Sequence, residues 1–181
     1  MRVLTFAWLI ACVIAGSAAP ASAQQRFALV VAGATGGEDY AAQYTAWTTD
    51  VQETLTGRLA FDPANVTLLT ETDESAKAAT AENLRRTLGA IRQKMKRDDL
   101  LFILLIGHGT FDGTDAKFNL VGPDLESTEW ASLLQPLPGT VIVVSSRLCS
   151  TFSRAFWVLS VLSSIILSDA TVFSCEVRLM I

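Results

Sequence analysis

Among the side chains of this sequence that could do chemistry, one histidine stands out. His108 is the only histidine of the chain, and it sits between two glycines at the end of an apolar run, in Leu100–Gly109, LLFILLIGHG. An imidazole titrates near neutrality and so suits general acid–base work. Glycines on both sides let a substrate backbone approach and leave main-chain N–H groups available to a developing anion. Two cysteines follow, Cys149 and Cys175, while Cys12 lies near the N-terminus. A thiol beside an imidazolium becomes a thiolate nucleophile; Cys149 and Cys175 also satisfy the simpler reading of a disulfide in an exported protein. Asp112 and Asp115 follow closely enough to orient an imidazole, or simply to be solvated.

A second cluster is Gly33-Ala34-Thr35-Gly36-Gly37, directly after an apolar segment. It invites a phosphate-cradling reading. The spacing does not fit, because Asp39 stands where the third glycine of a dinucleotide fingerprint is needed, and Glu71 is only a loose ribose partner. Gly36 and Gly37 are better explained as part of a turn bordering the same crevice as His108. No G-x-S-x-G is present, which removes the hydrolase nucleophile elbow. With a single histidine and no ligand-spaced cysteines, neither a metal site nor a cofactor is expected.

The elements that must position these residues can be read from periodicity. Phe27–Ala32, Val66–Thr70, Leu100–Ile106 and Thr140–Val144 are short, almost purely apolar runs, the signature of strands buried on both faces. Between them lie helical patterns. Residues 40–59 carry Tyr44, Trp47, Val51, Leu55 and Leu59 at helical spacing, ended by Phe61-Asp62-Pro63. Residues 81–96 carry Leu84, Leu88, Ile91 and Met95, with Thr80 as N-cap and basic residues in the last turn. Residues 118–121 read as a short strand or hairpin arm, and Ser127 caps a short helix over 128–134. Strands alternating with helices predict an α/β three-layer sandwich around a mostly parallel sheet. In such sheets ligands bind beyond the carboxyl ends of the strands, where 33–39, 107–113 and 145–150 emerge.

The strand running into Gly107-His108-Gly109, together with this element order from about Phe27 to Val144, resembles the caspase-like clan of cysteine peptidases: caspases, metacaspases and legumain-type enzymes. The resemblance implies a caspase-like fold, a peptide or protein substrate, His108 as general base or acid, Gly109 N–H as an oxyanion donor and Cys149 as nucleophile. In that family the cysteine follows its strand more closely, with an acidic residue nearby. Here the run is Ser145-Ser146-Arg147-Leu148-Cys149-Ser150. That departure keeps open a catalytically inactive relative that binds a partner or scaffolds a complex.

The ends of the chain differ in character from the middle. Arg2, an apolar stretch from Val3 to Ile14 and Ala21-Ser22-Ala23 have the form of a signal peptide over residues 1–23, cleaved before Gln24. The apolar stretch falls short of the ~20 residues of a spanning helix. Export to the periplasm or full secretion is therefore expected, with no membrane span afterwards. Residues 24–144 form the α/β domain. Residues 145–181 are an atypical hydrophobic tail without glycine or clear period, either an ordinary buried pair of elements or a segment foreign to the domain. The net charge of −4, more negative once Arg2 is lost, argues against a nucleic-acid partner.

Overall fold

The computed structural model describes residues 24–72, 74–111, 114–147 and 171–172. Its elements run β1 (Arg26–Ala32), α1 (Glu38–Glu53), a π-helical turn (Thr54–Arg58), a 3-10 turn (Pro63–Asn65), β2 (Val66–Leu69), α2 (Ala81–Lys94) and β3 (Leu100–Gly107). Three short strands follow, β4 (Gly109–Phe111), β5 (Ala116–Phe118) and β6 (Leu125–Glu126), then α3 (Ser127–Leu134), β7 (Thr140–Arg147) and β8 (Thr171–Val172). The main sheet has the order β2-β1-β3-β7-β8, and all its pairings are parallel. β4, β5 and β6 form a small antiparallel sheet of their own.

The apolar strands are covered on both sides, as their composition predicts. On β1, Phe27, Leu29 and Val31 join a core shared with α2 and α3. Ala28, Val30 and Ala32 join a second core with Tyr44 and Leu55, on the side of α1. The same alternation holds on β3, where Leu101, Ile103 and Leu105 face α2 and Phe102, Leu104 and Ile106 face α1. Period-two alternation with both sets apolar is what a central parallel strand requires. The result is the expected α/β three-layer sandwich with a mostly parallel central sheet.

α2 follows its sequence pattern closely. The Thr80 hydroxyl accepts from the Asn83 N–H at 3.2 Å, and Leu84, Leu88, Ile91 and Met95 are all buried. α1 departs from its pattern. The α-helix ends at Glu53, and the next turn widens, with the Leu59 N–H reaching the Thr54 carbonyl at 2.9 Å. The extra residue per turn carries Leu59 off the apolar stripe, so it is 50% exposed. Ser127 also differs from expectation. The N-cap position belongs to Glu126, which makes no side-chain cap bond. Glu126 is still in β6, opposite Lys117, and its carboxylate meets Lys117 Nζ at 3.2 Å; Ser127 is the buried first residue of the helix.

One buried carboxylate organises the N-terminal edge of the sheet. Asp99 Oδ1 accepts from the Gln25 N–H and Oδ2 from the Lys96 N–H, each at 2.8 Å. The Asp99 carbonyl accepts from the Thr140 N–H at 3.0 Å. The approaches to β1, β3 and β7 thus meet at one residue. At the opposite edge β7 extends beyond the expected Val144, and Arg147 pairs with Gly107.

Candidate functional site at the carboxyl edge of the sheet

His108 leaves the sheet at the end of β3, half-buried. Two interactions of its neighbours fix the main chain there. The Asn119 N–H donates to the His108 carbonyl at 3.1 Å, and the Asn119 carbonyl accepts from the Ala34 N–H at 3.1 Å. The loop after β1, the loop after β3 and the end of β5 are therefore tied through one residue. The Gly33 N–H adds a bond to the Ile106 carbonyl at 2.9 Å, continuing the β1–β3 pairing by one step.

This close approach explains two of the glycines. A Cβ on Gly33 would collide with the Asn119 carbonyl oxygen and press on the Phe118 ring. A Cβ on Gly107, whose φ is +156°, would press on the same ring at 3.2 Å. Phe118 lies edge-on to the buried Trp130, so it has little room to yield.

The imidazole is flanked by two tyrosines of α1. Tyr40 meets it edge-on with ring centroids 5.3 Å apart, and Tyr44 lies nearly parallel to it at 6.4 Å. The two tyrosines are one helical turn apart and touch each other, at 6.4 Å. Tyr40 is 41% exposed, whereas Tyr44 is 3% exposed. Burial pushes the Tyr44 phenol up to about 12, with Tyr40 and the Glu71 carboxylate adding to the effect. It is thus a protonated hydroxyl throughout the physiological range.

Next to these rings a cavity of about 430 Å³ opens between the end of β1, the start of α1 and the end of β2. Gly37, Tyr44 and Glu71 are among its walls. Glu71 Oε2 accepts from both the N–H and the hydroxyl of Thr35, at 2.9 and 2.6 Å. Those two bonds, the hydroxyl's above all, hold the Glu71 carboxyl below the usual glutamate range.

The residues proposed from sequence fare as follows. His108 and Gly109 stand at the carboxyl edge, beside the loop that carries Gly36 and Gly37. Gly36 takes φ +75° with open space around it, and Gly37 is extended immediately before α1. Asp112 and Cys149 lie outside the described residues. The sequence pattern assigns Tyr44 to the helical stripe of α1 and gives Tyr40 no role at the site. The available signal was the Tyr40–Tyr44 spacing in the first turns after a glycine loop, which places two rings together at the mouth. Among the described residues no group of three or more potential ligands could hold a metal ion, and no helix is long and apolar enough to cross a membrane.

No protein-family model matches the chain. It is similar to Metacaspase-7 and Metacaspase-4 of Arabidopsis thaliana, each 38% identical over 56 residues, 31% of this chain. That stretch spans only 14% and 13% of those proteins. Among solved structures, protein GSU0716 of Geobacter sulfurreducens matches with a TM-score of 0.51 at 20% identity, over 67% of this chain and 50% of that one. The structural match bears on the fold alone; the local sequence similarity adds a partial likeness to metacaspases.

Proposed function

We propose that the chain is an exported cysteine-type endopeptidase of the caspase, metacaspase and legumain kind, working by acyl transfer through His108 and Cys149. The observation that carries this reading is the placement of His108 at the carboxyl end of a buried parallel strand, with β7 in register beside it. Arg147 is the partner of Gly107, and Cys149 follows two residues later in the sequence. The longer β7 removes much of the gap that the sequence had suggested between strand and cysteine. Local similarity to metacaspases supports the same reading.

In the proposed reaction His108 takes the thiol proton, and the Cys149 thiolate adds to the peptide carbonyl. His108 then returns the proton to the leaving amine as the C–N bond breaks. Water, deprotonated by the same imidazole, hydrolyses the thioester and regenerates the thiol. The Gly109 N–H is assigned to the oxyanion. Support comes from ladder geometry: the Asn119 N–H donates to the His108 carbonyl and Gly109 stands opposite Phe118, so alternation turns the N–H of Gly109 away from β5. Asp112 and the Gly36–Gly37 loop would border the substrate, and Tyr40 and Tyr44 would hold the ring plane. Residues 1–23 would direct export to the periplasm or beyond.

The test is covalent labelling by a peptidyl electrophile directed at thiol nucleophiles. Cys149→Ala should abolish labelling, and His108→Ala should slow it by about a hundredfold or more. Equal labelling of wild type and His108→Ala would overturn the dyad and leave a catalytically inactive, partner-binding domain on the same fold.

A further inference from the structure

A groove of about 280 Å³ runs along the outer flank of α2, on the side of the sheet away from Tyr44. Asn65 and Thr67 line it from the β2 side, and Arg86, Thr87, Ala90 and Lys94 from α2. No aspartate or glutamate is among its described walls. Arg86 and Lys94 stand about 12 Å apart along the helix axis, and the small side chain of Ala90 lies between them.

Both cations are exposed, and neither has an ion-pair partner among the described residues. Their neighbour Arg85 does, reaching Glu129 at 2.8 Å. Arg86 Nη2 donates to the Ala76 carbonyl at 2.9 Å, which holds the guanidinium in place and leaves its other N–H groups for an acceptor. Of the acids nearest in sequence, Asp62 caps the Ala64 N–H at 2.9 Å, and Glu82 makes no ion pair with Arg86 one turn later. Residues 85–97 contain no acid at all, so this flank is positive in a chain of net charge −4.

Thr87 adds a sign of a different kind. Helical hydroxyls elsewhere in the molecule turn back on their own helix: Thr45, Thr48 and Thr49 donate to carbonyls one turn earlier on α1, and Ser132 does so on α3. Thr87, in the middle of α2, makes no side-chain hydrogen bond among the described residues, and neither do Asn65 and Thr67. The groove thus offers uncommitted donors between two cations, and its complement is a chain of acceptors with negative charge at both ends.

We propose that this groove docks an extended acidic segment of a partner polypeptide, with one carboxylate at Arg86 and a second, four residues on, at Lys94. Residues four apart in an extended chain are separated by about 13 Å, which matches the spacing of the cations. The Thr87 hydroxyl and the Asn65 amide would donate to the segment between. The large hydrophobic residues exposed among the described ones, Tyr40 and Leu59, belong to α1 and the turn after it. This flank therefore offers neither an anchor for a bilayer nor a ring for a nucleic-acid base. Asn65 precedes β2 and Phe27, also on the walls, is near the start of β1, so the groove stands apart from the edge that carries His108, and binding there requires no turnover.

The probe is a rhodamine-labelled peptide, Glu-Thr-Val-Thr-Glu with blocked ends, added to the full chain and followed by fluorescence anisotropy, with Gln-Thr-Val-Thr-Gln as its neutral counterpart. Saturable binding of the acidic peptide and none of the neutral one are expected. Lys94→Gln should weaken binding by about fivefold, and Thr87→Val, which removes a hydroxyl at nearly constant shape, by about threefold. Arg92→Gln takes the same charge from the same helix outside the groove and should stay within about twofold of wild type. Lys94 and Arg92 are exposed, so neither variant should lower the melting temperature. Equal losses in Arg92→Gln and Lys94→Gln, wild-type affinity in Lys94→Gln, or equal binding of both peptides would overturn the proposal. So would tighter binding of phosphatidylglycerol vesicles or of a single-stranded oligonucleotide than of the peptide, or self-association of the chain that Lys94→Gln abolishes.

Discussion

The two faces of the central sheet are packed very differently. On one side α2 and α3 lay Leu84, Leu88, Ile91, Trp130 and Leu134 against β1, β3 and β7. On the other, the buried apolar residues of α1 and the π-helical turn after it are Tyr44 and Leu55, with Trp47 and Val51 only partly buried. The α2 side is a jigsaw of aliphatic and aromatic groups. The α1 side carries a widened helical turn, a buried phenol without a hydrogen-bond partner among the described residues, and a polar cavity. His108 lies on the side where, among the described residues, fewer side chains are fully buried. Sites that must admit a ligand are drawn from regions of lower packing.

Truncating the same residue type on each side tests that contrast. Leu84→Ala should cost about 4 kcal/mol, because Leu84 is fully enclosed between α2 and the strands, and Leu55→Ala about 2 kcal/mol. Urea denaturation of the two variants reads the difference, and equal losses would break the comparison. Within the loop after β1 the same logic applies at shorter range. Gly33→Ala forces a methyl group into the Asn119 carbonyl and should cost about 3 kcal/mol. Gly37→Ala meets nothing within contact distance and should change stability by less than about 0.5 kcal/mol.

Smaller effects sharpen the picture. Thr80→Ala removes the cap on the well-packed helix and should cost about 1 kcal/mol. On the α1 side the Thr35–Glu71 tie should be visible as a pH dependence. The folded-state pKa of Glu71 is lowered, so its contribution is complete above the ordinary glutamate value. It is lost as pH falls through the depressed one. Wild type should therefore lose more stability than Glu71→Gln across that window, and Thr35→Ala should return the Glu71 titration, followed by NMR, toward its usual position. Because Glu71 is largely solvent-exposed, this should be the smallest of the changes.

The same asymmetry governed what could be read from the sequence. Leu84, Leu88, Ile91 and Met95 repeat cleanly because a helix packed against a sheet needs an unbroken stripe. Phe27–Ala32 and Leu100–Ile106 were legible because strands covered on both faces need no polar positions. Legibility failed where the chain serves something other than packing. Leu59 fits the stripe on paper, but the widened turn after Glu53 is decided by backbone hydrogen bonds that no periodicity encodes. Ser127 looks like a cap until β6 keeps Glu126 extended. The glycines mark His108 in the sequence, but nothing there joins it to Tyr40 and Tyr44 of α1 or to Glu71 after β2, because these three segments meet only in the tertiary fold.

Asp99 gives the mouth its alignment from far away. It fastens the chain before β1 and the first residue of β7 to the turn that begins β3, so the three central strands are counted from a common zero. With Arg26, Leu100 and Thr140 level at that end, Ala32, Ile106 and Ser146 come out level at the other, about 20 Å further on. The imidazole's position is thus partly a matter of arithmetic along the strands, and a slip at this distant carboxylate would displace His108 without touching it.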